Sequence, residues 1–206
     1  MTLQKADLLE CREVIYQILS FLYYEPTKDL SAKVSLLVDA LDHYDSELAE
    51  QSKTLINYLE KNNDLMTLKV DFAKLFVGPF HVSSPPYASV YLENKWEVMG
   101  GSTVTAVEFY RKTGLVIKDE FKEPPDHIGV QLEFVYYLIY QYIETSDPQF
   151  ITYQREFFTK YLCKWVPKFT KAIKENANTS FYKNLALLTE RLIEKDFQHL
   201  RSYLME

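Results

Sequence analysis

Apolar residues recur every three or four positions along most of the chain, which is the spacing of amphipathic helices. The segment from Lys5 to Tyr24 shows it first, with a stripe of Leu8, Cys11, Ile15, Ile18, Leu19 and Leu22. The same spacing predicts helices over 31–41, 46–61, 65–76, 102–112, 124–144, 148–163 and 180–204. Alternation of apolar and polar residues never lasts more than a few positions. The pattern predicts an all-α fold, a compact domain of about eight or nine helices.

Local signals define several helix ends. Ser46 and Ser102 are expected to cap the helices that follow them, and Gly78-Pro79 is expected to end the helix over 65–76. Pro167 is expected to kink or break the chain near Trp165. Gly129 lies inside a predicted helix, where it costs about 1 kcal/mol relative to Ala. We therefore expect another backbone to come close to it.

Irregular backbone is concentrated in the middle of the chain. All five glycines lie between Gly78 and Gly129, and five of the eight prolines lie there too. Residues 77–101 form the longest predicted linker, with an extended, polyproline-like segment over 83–87. Long connections of this kind are usually functional or disordered, and the aromatic content argues against disorder.

Composition excludes several classes of function. Hydrophobic residues make up 47% of the 206 residues and the net charge is −6, which argues against a nucleic-acid partner. The two cysteines, Cys11 and Cys163, and the four scattered histidines indicate neither a disulfide framework nor a metal site. We expect a cytoplasmic protein, since neither a signal peptide nor a membrane-spanning segment is evident. No cofactor is expected.

Two clusters carry the candidate chemistry. The first is apolar and contains Phe72, Leu75, Phe76, Phe80, Tyr87 and Tyr91. It is either ordinary core or, for the aromatic residues of the linker, a groove for an apolar partner. The second contains Glu123, Asp126 and His127. It is either an acidic site that accepts hydrogen bonds from arginine, or an aspartate that caps the helix together with the histidine.

Motifs of phosphate loops, dinucleotide-binding loops, serine hydrolases and zinc proteases are absent from the sequence. No catalytic residue is therefore assigned. One alternative remains, a small nucleotide-binding or acid–base enzyme that uses Asp126-His127. Another is an interaction module without peptide specificity.

At these two clusters the sequence resembles the TorD/DmsD family of cytoplasmic chaperones for molybdoenzymes. The resemblance rests on three motifs: Phe72-x-x-Leu-Phe-x-Gly-Pro79 followed by Pro85-Pro86-Tyr87-x-Ser89-x-Tyr91; Glu123-Pro124-x-Asp126-His127; and, more weakly, Phe157-Phe158-x-x-Tyr161-Leu162-x-x-Trp165-x-Pro167-x-Phe169. The family commonly has His at Tyr161, and often has Trp where Phe80, Tyr87 and Tyr91 stand, so the groove differs in shape.

The resemblance implies a function and a division of the chain. It implies that the protein binds the twin-arginine signal peptide and the apo form of a molybdenum-cofactor enzyme, assists cofactor insertion and delays export. Clients would be of the dimethyl-sulfoxide or trimethylamine-oxide reductase type, and the translocation machinery would be a further partner. Helical subdomains over 1–112 and 124–206 would be joined by a hinge at 113–123, in a monomer or a domain-swapped dimer. Weak guanine-nucleotide binding is also implied, although no phosphate-loop motif supports it.

The signal-peptide site follows from the same resemblance. Glu123 and Asp126 would receive the arginine pair with support from His127, at a backbone shaped by Pro124. The apolar segment would be held by Phe72, Leu75, Phe76, Phe80, Pro86, Tyr87 and Tyr91.

Overall fold

The computed structural model describes residues 3–62, 64–78, 82–93, 100–117 and 123–202, and it is helical almost throughout. Within these ranges the only β-structure is an isolated antiparallel bridge between Tyr87 and His127. The all-α prediction is confirmed. The α-helices are α1 (Leu3–Phe21), α2 (Leu30–Tyr44), α3 (Ser46–Lys61), α4 (Leu65–Phe72), α5 (Ala88–Leu92), α6 (Gly101–Lys112), α7 (Ile128–Thr145), α8 (Gln149–Phe157), α9 (Cys163–Asn176) and α10 (Ser180–Ser202).

Two π-helical turns extend this set. The first, Ala73–Val77, continues α4 to Gly78, whose φ of 42° ends the helix as expected. The second, Phe158–Leu162, joins α8 to α9 into one continuous helix. Pro167 lies inside α9. The expected break at Pro167 is therefore wrong, and residues 164–176, for which no helix was predicted, continue the helix to Asn176.

The core joins both ends of the chain. Helix α1 packs against α7 and α2, while α10 packs against α3 and α9. Helix α7 is buried on several sides, as its apolar sequence predicts, and its buried residues are Ile128, Gly129, Val130, Gln131, Leu132, Phe134, Val135, Leu138 and Ile139. The division at a hinge over 113–123 stays a prediction, since residues 118–122 lie outside the described ranges.

Helix starts differ from expectation at three places. Helix α3 is capped by Asp45 rather than Ser46, because the Asp45 carboxylate accepts the N–H groups of residues 47 and 48 at 3.0 and 2.9 Å. The N-cap of α6 is Gly100, and Ser102 lies inside the helix, where its N–H and hydroxyl both donate to Glu93 Oε1. Helix α7 begins at Ile128, four residues later than predicted.

The predicted linker over 77–101 is not irregular throughout, because α5 lies within it. Tyr87 is extended and Ala88 starts the helix directly after it. Pro79 and Phe80 lie outside the described residues.

The predicted stripe of α1 is confirmed at Ile15, Ile18, Leu19 and Leu22, which are all buried, and differs only at its N-terminal end. Leu8 is exposed, while Leu9 is buried and Arg12 is buried beside it.

The Arg12 guanidinium lies against the Asp196 carboxylate, with 2.8 Å from Nε to Oδ1 and 2.8 Å from Nη2 to Oδ2. The hydroxyls of Tyr16 and Tyr44 donate to the same carboxylate at 2.8 and 3.0 Å. A fully buried ion pair therefore joins α1 to α10.

Candidate functional site

The two clusters predicted from the sequence lie side by side. The N–H of Ile128 donates to the Pro86 carbonyl at 2.8 Å, and the N–H of Ala88 donates to the Asp126 carbonyl at 3.0 Å. These two bonds flank the bridge between Tyr87 and His127. The backbone that carries the Pro-Pro-Tyr motif is thus paired with the backbone that carries the Asp-His motif.

A cavity of about 460 Å³ opens beside this junction. It lies where the end of α1, the end of α4 and the paired segments meet. Its lining residues are Phe21, Tyr23, Tyr24, Glu25, Thr27, Phe72, Phe76, Val77, Pro86, Tyr87, Glu123 and His127. Six of the residues predicted for the signal-peptide site line it, and the five from the end of α1 were not foreseen.

His127 lies between two tyrosine rings in the cavity wall. Its imidazole stacks on Tyr24 with ring centroids 5.2 Å apart and meets the edge of Tyr87 at 5.6 Å. Its Nδ1 accepts the N–H of Gly129 at 3.1 Å, so His127 is the N-cap of α7 and Nε2 carries the proton. Burial lowers the His127 pKa from its ordinary 6.5 to about 4, which leaves the ring neutral at pH 7.

This burial predicts a pH dependence of stability. Between pH 4 and 6.5 the unfolded chain binds more protons at His127 than the folded chain, so stability falls as pH decreases through that range. At pH 5 the loss attributable to His127 is about 2 kcal/mol. His127→Asn keeps a capping oxygen but does not titrate. Urea denaturation at pH 7.5 and pH 5 is expected to show a smaller pH effect in the variant. Equal pH effects in the two proteins would contradict the neutral, buried imidazole.

Gly129 is required for the position of Tyr24. A Cβ built on Gly129 would lie 2.8 Å from the Tyr24 ring carbons. The close neighbour is therefore an aromatic side chain, and the expectation of a nearby backbone is wrong. Absence of a side chain at Gly129 lets the Tyr24 ring cover the first turn of α7 and stack on His127.

Two carboxylates reach the cavity. Glu123 is half-buried in its wall, and Glu25 lies in the connection that follows α1. The Glu25 carboxylate holds the ammonium group of Lys69 at 2.6 Å in an exposed ion pair. Glu25 was missed from the sequence because nothing local to Tyr24-Glu25-Pro26 shows that α1 ends beside residues 86 and 123.

Asp126 is fully buried beneath the cavity. Its Oδ2 accepts the N–H of Ser89 at 3.0 Å, so it serves the first turn of α5 and not its own helix. The interpretation of Asp126 as the cap of the helix that follows it is therefore wrong, because His127 takes that place. Oδ1 makes no hydrogen bond within the described part of the chain. The role of Asp126 in peptide binding stays a prediction.

The remaining predicted site residues are mostly in the core. Leu75 is fully buried, and Phe72 and Phe76 are largely buried with only their edges at the cavity. Tyr91 stacks on Trp165 with ring centroids 5.8 Å apart. Pro124 is half-buried, and its carbonyl accepts the His127 N–H at 2.9 Å. Phe80 lies outside the described residues, so its position is not assigned.

The arrangement gives no support to acid–base catalysis. The Asp126 carboxylate engages the Ser89 amide and His127 Nδ1 engages the Gly129 amide, so each side chain serves a backbone N–H. Among the described residues, no group of three or more His, Cys, Asp or Glu could hold a metal ion. None of the described helices is long and apolar enough to cross a membrane.

Comparison with known proteins gives consistent matches. The family model described as the nitrate reductase delta subunit matches residues 41–171. The chaperone protein TorD of Shewanella oneidensis is 27% identical over 209 residues, which is 96% of this chain and 94% of that protein. TorD of Aliivibrio salmonicida is 29% identical over 166 residues, 75% of this chain and 77% of that one.

Two further matches have other names. A protein of Haemophilus influenzae named as the Tat proofreading chaperone DmsD is 28% identical over 121 residues, covering 59% of this chain and 56% of its own length. The crystal structure of a redox enzyme maturation protein from Archaeoglobus fulgidus superposes with a TM-score of 0.57 at 25% identity. That match covers 89% of this chain and 93% of the other.

Proposed function

This chain belongs to the nitrate reductase delta subunit family, with relatives named as TorD and DmsD chaperones, and on that premise we propose that it binds a twin-arginine signal peptide. It is a maturation chaperone and not an enzyme. The client would be the apo form of a molybdenum-cofactor oxidoreductase of the dimethyl-sulfoxide or trimethylamine-oxide reductase type. Binding would assist cofactor insertion and delay export until the enzyme is mature.

The cavity's combination of carboxylates and aromatic rings is the observation that carries this proposal. Glu123 would accept an arginine side chain, since a guanidinium pairs with a carboxylate through two parallel hydrogen bonds. Glu25 would accept a second arginine in exchange for its exposed pair with Lys69. Tyr24 and Tyr87 line the same cavity, and aromatic rings attract cations. Because the His127 pKa is about 4, this ring adds no opposing positive charge at neutral pH.

Asp126 would then position the backbone of the site and would not contact the peptide itself. Its carboxylate holds the start of α5, and its carbonyl accepts the Gln131 side chain at 2.8 Å. Gln131 in turn accepts the Trp165 indole N–H at 3.0 Å. We propose that this chain of bonds fixes the backbone that presents Glu123 and Tyr87 to the peptide.

Calorimetric titration tests the proposal. A synthetic twin-arginine signal peptide is expected to bind, and its twin-lysine version to bind at least tenfold more weakly, since lysine cannot form the bidentate pair. Glu123→Gln is expected to weaken arginine-peptide binding by about tenfold. Glu108→Gln is the matched control, because Glu108 is exposed on α6 and does not line the cavity.

Two results would contradict the proposal. Equal affinity for the arginine and lysine peptides would favour an interaction module without peptide specificity. Equal affinity of wild type, Glu123→Gln and Glu108→Gln for the arginine peptide would remove Glu123 from the site.

A further inference from the structure

Helix α4 and its π-helical turn carry an apolar face that no described residue covers. Three of its side chains, Met66, Val70 and Val77, are 63%, 60% and 61% exposed, and Ala73 between them is also exposed. We call these four residues the outer stripe. Their spacing of four, three and four residues is the spacing of a helix–helix seam. The opposite face of the same segment already packs into the core through Leu68, Phe72, Leu75 and Phe76.

The outer stripe runs between two cavities. At one end Val77 lines the 460 Å³ cavity that contains Glu25 and Glu123. At the other end Met66 and Val70 line a second cavity of about 210 Å³. That cavity is completed by Thr67, Asp71, Asn178 and Thr179. The stripe therefore extends from the carboxylate-bearing cavity to a cavity beside the turn between α9 and α10.

The backbone under the stripe is well anchored. The buried Asp71 carboxylate accepts the N–H of Thr179 at 2.8 Å and its hydroxyl at 2.7 Å. Lys74 donates to the Asn176 carbonyl and the Asn178 side chain, both at 2.8 Å. A partner would therefore meet a preformed surface.

The length of the stripe matches one kind of partner. From Met66 to Val77 are eleven residue steps, about 16 Å along a helix at 1.5 Å per residue. A helical partner of the same length contains about eleven residues. The apolar region of a signal peptide has 7–15 residues and follows a cationic start.

The charges fix the direction of that partner. The cavity at the Val77 end is lined by Glu123 and by Glu25, whose carboxylate pairs with exposed Lys69. The cavity at the Met66 end is completed by neutral side chains apart from the buried Asp71, which is bonded to the 178–179 turn. Asp64, the cap of α4, already serves Met66 N–H and the Thr67 hydroxyl. A cationic segment belongs at the Val77 end, followed by an apolar segment running towards Met66.

We infer that the outer stripe binds the apolar segment of the signal peptide, in helical form, while the arginines occupy the 460 Å³ cavity. This inference rests on the proposed function. It moves the apolar contact from the buried face of α4, where Phe72, Leu75 and Phe76 lie, to the exposed face of the same helix.

Two peptides and two variants test the inference. The long peptide contains the arginine pair and the apolar segment, and the short peptide contains only the cationic start. Val70→Asp places a charge in the middle of the stripe, and Leu36→Asp places one at a similarly exposed residue of α2, 56% exposed. Val70→Asp is expected to lower the affinity for the long peptide by about tenfold and to leave the affinity for the short peptide unchanged. Leu36→Asp is expected to change neither affinity, and both variants should keep the wild-type melting temperature within a few degrees.

The outcomes separate this inference from the proposed function. Unchanged affinity of Val70→Asp for the long peptide would show that the stripe does not bind the apolar segment, while the proposed function would stand if Glu123→Gln still weakens binding. An equal loss of affinity for the long and short peptides would also rule out binding at the stripe. Failure of wild type to bind either peptide would overturn the proposed function itself. Sedimentation of the proteins without peptide tests whether a second copy of the chain binds the stripe instead. A wild-type dimer that dissociates in the Val70→Asp variant would show that it does.

Discussion

Replacing Asp196 with alanine is expected to lower the free energy of unfolding by about 3–5 kcal/mol, because it leaves the Arg12 guanidinium buried without a carboxylate. Arg12 would keep one side-chain partner, the Gln154 oxygen at 2.9 Å. The hydroxyls of Tyr16 and Tyr44 would lose their acceptor as well. Urea denaturation at pH 7.5 measures the effect.

Two further variants distinguish the loss of the buried ion pair from a nonspecific loss of stability. Lys53→Met breaks the exposed pair between Lys53 and Glu50 and is expected to change stability by 0.5 kcal/mol or less, a rough limit for surface pairs. The double variant Arg12→Met, Asp196→Leu removes both charges and is expected to be more stable than Asp196→Ala. A loss below about 1 kcal/mol in Asp196→Ala would show that the pair does not join α1 to α10 energetically.

Replacing Asp71 with alanine is expected to lower the free energy of unfolding by about 2–4 kcal/mol. The substitution leaves the buried N–H and hydroxyl of Thr179 without an acceptor, and it also removes the acceptor of the Asn178 N–H. These groups lie at the start of α10, so the change would weaken the attachment of α4 to the turn between α9 and α10.

Asp64→Ala is the matched control in the same helix. Asp64 is exposed at the other end of the segment and caps α4 through Met66 N–H and the Thr67 hydroxyl. Loss of such a cap costs about 1 kcal/mol. Similar losses in the two variants would contradict a special role for Asp71 in joining α4 to α10.

The helices could be predicted from the sequence because their signals are local. Helical spacing of apolar residues located most of the helices to within a few residues of their ends, but it missed α5 in the predicted linker and nearly all of α9 beyond Cys163. The choice between Asp45 and Ser46 as a cap could not be predicted, since adjacent residues of the same capping class compete for the same N–H groups. Nor could the burial of Arg12, because its partner Asp196 lies 184 residues away and leaves no local signal.

The sequence predicted that two motifs form the site, but it did not predict the contacts of the individual side chains. The family motifs placed Pro86 and Tyr87 beside Asp126 and His127, and the structure pairs their backbones. Periodicity could not show that Asp126 points inward or that Glu25 reaches the same cavity. Helix α4 is apolar on both faces, and the pattern alone cannot tell which face the rest of the chain covers.

The pair between Arg12 and Asp196 also bears on folding kinetics. It joins residues 184 positions apart, and we expect a contact of such long range to form late in folding. Interactions absent from the transition state govern the unfolding rate rather than the folding rate. In a chevron plot the Asp196→Ala variant is therefore expected to shift mainly the unfolding arm and to shorten the lifetime of the native state.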